Sequence, residues 1–116
     1  MVTELKLRSV LVPCTDLDRA VDFYGSALGL PMKFRDGASY AAMDTGDVTL
    51  ALATPDEHPF PWSIVLGIRA QDLSVTDRLE AAGAVTVAPA TRGRHEWRAL
   101  LRAPDGTLLS LYCPLP

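Results

Sequence analysis

Few side chains in this sequence can hold a metal or attack a substrate, so their spacing is decisive. There are two histidines, His58 and His95, and two cysteines, Cys14 and Cys113. They share no recognised metal-ligand spacing. A set made of both cysteines and a histidine would need the first and last strands to end side by side. His95 and Glu96 have the chemistry of an acid/base pair, but strand neighbours point to opposite faces and cannot act on one substrate atom. Asp44 and Asp47 flank a turn, where carboxylates serve local hydrogen bonds. Neither Ser9 nor Ser110 has a histidine at an offset that would make it a nucleophile. Cys14 would be activated at a helix N-terminus, where the dipole lowers a thiol pKa; the plainer reading is a small buried hydrophobe. Ser110 is the odd residue, a serine between two leucines in "DGTLLSLY".

The elements that would position these groups follow from hydrophobic period and turn signals. "LKLRSVLVP" is a strand ending at Pro13. In "TDLDRAVDFYGSALGL", Leu17, Ala20, Val21, Tyr24 and Leu28 recur at helical spacing, Thr15 or Asp16 caps the start and Gly29 ends it. "MKFRD", "SYAAMD" and "DVTLALA" are short strands separated by Asp36-Gly37 and Thr45-Gly46-Asp47. The proline-rich "TPDEHPFPW" is a linker. The order then repeats: "SIVLGIRA" is a strand and "DLSVTDRLEAAG" a helix with Leu73, Thr76 and Leu79 on one face and Gly83 as its stop. "VTVAPA", "HEWRALLRA" and "TLLSLYCP" are strands. Asp16-Leu17 and Asp72-Leu73 open the two helices, and Ala51 and Ser110 fall at equivalent places, each between leucines. The prediction is an α+β chain of two tandem βαβββ units in a curved mixed sheet with a cleft. It is a single domain over 1–116, with units at about 4–54 and 63–114 and a linker at 55–62. One helix per four strands covers only one face of each sheet.

Composition sets the outer bounds. A chain of 116 residues, 48% hydrophobic and 22% charged, can bury a core without disulfides or a structural metal. No apolar run is long enough for a membrane span and no signal peptide is evident, so the expectation is a cytoplasmic protein with reduced cysteines and no membrane partner. The net charge is −3, and the clustered Arg92, Arg94, Arg98 and Arg102, of one strand parity, read as a solvated face. Nucleic acid is not expected as a partner.

"DLDRAVDFYGSALGL", "DLSVTDRLEAAGA" and "APDGTLLSLY", with the element order, give a sequence that resembles the vicinal oxygen chelate superfamily. That group includes glyoxalase I, bleomycin-resistance proteins, fosfomycin-resistance enzymes and extradiol dioxygenases. The resemblance implies the paired-βαβββ fold and four metal-ligand positions, which carry over to Ser9, Ala51, Val65 and Ser110. Family ligands there are His, Gln or Glu; alanine and valine have no donor atom and a neutral hydroxyl is a poor one. A slip of one residue brings in Arg8, Val10, Leu50, Leu52, Leu66, Leu109 or Leu111, which are no better. No metal or other cofactor is expected.

The resemblance therefore points to the metal-free, bleomycin-resistance-like members. Leu11 shares the parity of Ser9, as Thr49 and Ala53 share that of Ala51, and Tyr112 that of Ser110. Trp97, with His95 at the same parity, is placed on the cavity side of its strand. Trp62 stands where the linker enters the fifth strand, and Phe34, Tyr40 and Phe60 at the rim. A cleft with small central residues and aromatic walls suits a hydrophobic or aromatic, antibiotic-like small molecule. The expected ligand-binding set is thus Ser9, Leu11, Phe34, Tyr40, Ala51, Trp62, Val65, His95, Trp97, Ser110 and Tyr112. The expected assembly is a homodimer that sequesters its ligand. The alternative is an enzyme of the same fold, either a metal-independent isomerase, lyase or cyclase or a metalloenzyme with displaced ligands.

Overall fold

Asp16 caps the first helix as its type and place predict: its Oδ1 accepts the Arg19 backbone N–H at 3.2 Å. The computed structural model describes residues 5–116. The first βαβββ set is β1 (Leu5–Pro13), α1 (Leu17–Val21) continuing as π-helix over Asp22–Ala27, β2 (Met32–Asp36), β3 (Tyr40–Asp44) and β4 (Thr49–Ala53). The second is β5 (Val65–Ala70), α2 (Val75–Ala81), β6 (Val85–Arg92), β7 (Glu96–Arg102) and β8 (Leu108–Pro114). The α+β class and the tandem order are those the sequence predicts. Among the described residues no helix is long and apolar enough to cross a membrane.

Residues 8–65 form one compact part, and residues 66–116 with 5–7 the other. In the first, the strands lie in the order β2-β3-β4-β1, antiparallel except for the parallel pair of β1 with β4. Leu17, Ala41, Met43 and Leu52 are its buried core, with Val12, Ala20, Val21 and Tyr24 packed on it. Ala41, Met43 and Leu52 therefore face α1, and the residues that alternate with them do not. In the second part the order is β5-β8-β7-β6. Ala70, Ala99, Leu101 and Leu111 close around Val75 of α2, with Leu73 and Leu79 against them.

Two details differ from the sequence prediction. Leu28 leaves the helical stripe and is 58% exposed, while Leu30 takes up a place on the core. The cause is the π-helical turn: the Leu28 N–H donates to Phe23 O, five residues back, at 2.9 Å, and the wider turn rotates Leu28 outward. Gly29, at φ 85°, then ends the helix, and the Leu30 N–H donates back to Tyr24 O at 3.0 Å. The seventh strand starts one residue later than predicted: Arg92 ends β6, and Arg94 and His95 lie in the turn, so only Arg98 and Arg102 share a face of β7.

The altered stripe predicts unequal costs for two leucines on one helix. Leu17→Ala should lose about 2–5 kcal/mol in urea unfolding, whereas Leu28→Ala should stay within about 0.5 kcal/mol of the parent.

Candidate functional site

Each part has one strand face that no helix covers. In residues 8–65, β1 contributes Ser9, Leu11 and Pro13, which stand opposite Thr49, Ala51 and Ala53 of β4. Ala51 in turn faces Ala42 of β3, and Ala42 faces Phe34 of β2; Tyr40 faces Ala53 and Asp36. Five of the expected binding residues, Ser9, Leu11, Phe34, Tyr40 and Ala51, thus share one face. The Phe34 and Tyr40 ring centroids are 6.3 Å apart with planes tilted at 52°. Phe34 is 57% exposed. Ala42, Ala51 and Ala53 are buried, so the accessible groups are the exposed Phe34 and the half-buried Tyr40, Ser9, Leu11 and Thr49.

In residues 66–116 the uncovered face of β8 carries Leu108, Ser110 and Tyr112, opposite Arg102, Leu100 and Arg98 of β7. Ser110 is only 5% exposed, Tyr112 half-buried. Arg98 is paired with Glu96 at 3.0 Å, the local neutralisation of a solvated face. Trp97 is on the other side. It alternates in phase with Ala99 and Leu101, which pack toward α2, and the register with β8 is unbroken. The assigned cavity parity for Trp97 is therefore reversed. His95, expected with it, lies exposed in the β6–β7 turn, where its carbonyl accepts the Leu115 N–H at 3.0 Å. Val65 opens β5 and is fully buried.

The histidine that matters structurally is His58, in the proline-rich linker. It is 5% exposed; its Nδ1 accepts the Phe60 backbone N–H at 3.0 Å, and its Nε2 donates to Leu11 O at 3.0 Å. An acceptor at Nδ1 fixes the proton on Nε2, and both nitrogens are used by backbone, leaving none for a substrate or metal. The linker is tied further by Thr54, whose N–H donates to Ser39 O at 2.9 Å and whose hydroxyl donates to Asp56. Beyond this clasp Trp62 is 79% exposed, edge-on to Phe60 at 5.0 Å.

The residues at the family's ligand positions do not fit a divalent ion. Ser9, Ala51, Val65 and Ser110 supply two neutral hydroxyls and two hydrocarbon side chains. Among the described residues no three His, Cys, Asp or Glu side chains gather as a metal set. Elsewhere, a cavity of about 420 Å³ lies at the start of α1, lined by Pro13, Cys14, Thr15, Asp16, Arg19, Pro55 and Pro61. Burial, then the Asp16 carboxylate, push the Cys14 thiol pKa up, so it stays protonated and unreactive at neutral pH. The Cys113 Sγ donates to Gln71 O at 3.0 Å.

The sequence over residues 9–112 matches the model of a family described as a glyoxalase-like domain. An uncharacterized protein of Mycolicibacterium smegmatis is 38% identical over 115 residues, covering 98% of both chains. Among solved structures, a hypothetical protein from Bacillus halodurans superposes with a TM-score of 0.77 at 18% identity, covering 97% of this chain and 96% of that one. A glyoxalase/bleomycin resistance protein/dioxygenase superfamily member from Vibrio splendidus superposes with a TM-score of 0.73 at 15% identity, covering 97% and 99%. At these identities the likeness to solved structures is one of fold.

Two outcomes follow for the linker and its cavity. His58→Ala strands the Leu11 carbonyl and the Phe60 N–H, and should cost about 1–3 kcal/mol in urea unfolding. Asp16→Asn keeps a capping side chain but removes the charge beside Cys14, so iodoacetamide alkylation of Cys14 at pH 8 should speed up with little change in Tm.

Proposed function

The chain belongs to the glyoxalase-like domain family, and from that premise we propose that it is a metal-independent binding protein for a hydrophobic, partly aromatic small molecule. It works in the cytoplasm as a homodimer that sequesters an antibiotic-like compound rather than transforming it. The observation that carries this reading is the Phe34–Tyr40 pair, held 6.3 Å apart on the uncovered face of residues 8–65. Two rings tilted to each other and open to solvent gain from a flat third ring by both burial and edge or face contact. The small central residues support it: Ser9 and Ala51 occupy positions where relatives that use a metal would carry large ligands, and they offer contact surface without reactive groups. Exposed Trp62, beside Phe60, adds an apolar surface that a second copy or the ligand would cover.

Fluorescence titration tests the reading. The two tryptophans, Trp62 and Trp97, are separated by a Trp97→Phe variant that leaves Trp62 as reporter. Bleomycin and an anthracycline are the probes. At least one should quench Trp62 saturably, and Phe34→Ala with Tyr40→Ala should weaken that binding about tenfold, the worth of a lost aromatic contact. Unchanged affinity in the double variant, or a stoichiometric divalent metal in the purified protein, would overturn it.

A further inference from the structure

Lys33 is the residue at which β2 loses step with β3. Met32 stands opposite Met43 and Phe34 opposite Ala42, with a register shift between them. Met43 belongs to the core under α1, whereas Ala42 lies on the uncovered face with Ala51. The strand therefore turns over within two residues, and Lys33 is the extra residue of a bulge. In an unbroken strand Lys33 would alternate with Phe34 and point to the helix side. Instead its Nζ donates to the Thr49 Oγ1 at 3.0 Å, on the uncovered face. Re-aiming one side chain is what a bulge beside a binding site achieves.

The surroundings of that ammonium are suited to an anion. Thr49 is flanked by Ser9 of β1 and Asp44 of β3. The Asp44 Oδ1 is engaged by the Gly46 N–H at 2.8 Å, and among the described residues Lys33 makes no ion pair. An ammonium has three donors, and Thr49 uses one. Because the Thr49 oxygen accepts from Lys33, its own proton is free to donate outward, as is that of Ser9. The result is an exposed ammonium held to Thr49, with two hydroxyl donors beside it and the Asp44 carboxylate, bonded to the Gly46 N–H, next to them. Thr49 and Ala51 are consecutive on this face, about 7 Å apart along the strand. The donor group therefore sits one step from the row that ends in Phe34.

We infer that the bound molecule is an aromatic acid, its ring against Phe34 and Tyr40 and its carboxylate on the Lys33 Nζ with the Thr49 and Ser9 hydroxyls. This rests on the binding reading above and adds the charge of the ligand. In place of a metal's charge, the face presents a lysine that a bulge delivers to it. Specificity then follows from pairing: a neutral analogue leaves Lys33 without its partner, while a ring of similar shape with a carboxylate satisfies it.

Calorimetry on the full chain with 2-naphthoate and its neutral analogue 2-naphthamide separates the two claims. At low ionic strength naphthoate should bind about tenfold more tightly than the amide, the effect of one charge-assisted hydrogen bond. Lys33→Met should reduce naphthoate to the affinity of the amide and leave the amide unchanged, while Lys33→Arg keeps the preference. Unchanged Tm values would show that each variant is folded. Equal affinities in the parent chain, or a preference that survives Lys33→Met, would overturn the anion site and leave aromatic binding standing. Failure of both compounds to bind would overturn both.

Discussion

The structure depends on a shortage of helix. Each βαβββ set has four strands and one helical segment, and a helix can cover only one side of the strands it packs on. The helix side holds one apolar cluster in each part: Leu17 with Met43 and Leu52 in one, Val75 with Leu101 and Leu111 in the other. The opposite side mixes buried apolar residues, such as Ala51, Leu100 and Leu108, with the exposed Phe34 and the half-buried Ser9 and Thr49. Alternation along each strand enforces the division residue by residue.

That division explains what a change of ligand chemistry costs. Ser9, Ala51, Val65 and Ser110 stand on the strand faces away from the helices, so a change of side chain at any of them leaves the helix-side clusters in place. A fold of this kind can abandon one chemistry and take up another without being rebuilt. The groups still open to solvent on the uncovered face of residues 8–65 are a ring pair, hydroxyls and one ammonium.

Much of this was legible in the sequence because it depends on period and on turn residues. Asp16, Gly29 and Gly83 mark helix ends by chemistry that acts locally. The faces of Ser9, Leu11, Ala51 and Ser110 follow from strand alternation alone. What sequence could not supply were departures from period. The π-helical turn that expels Leu28 and the bulge that redirects Lys33 are each one residue out of phase, and no residue type announces either. Trp97 lies in the strand the sequence predicts, but which face of that strand meets α2 is decided by the packing of Ala99 and Leu101 on Val75, and alternation alone does not say. His58 carries no signal of its clasp in the sequence, because its partners, Leu11 O and the Phe60 N–H, meet it only in the fold.

The His58 clasp bears on how a duplicated chain can be exchanged between copies. A swap of halves needs a hinge, and a linker of this composition would ordinarily be taken for one. Through Phe60, however, the linker is hydrogen-bonded to β1 and to the β2–β3 turn of its own half. The first repeat thus carries its own latch, and the Ser63 N–H, donating to Phe60 O at 3.3 Å, extends it toward the start of β5.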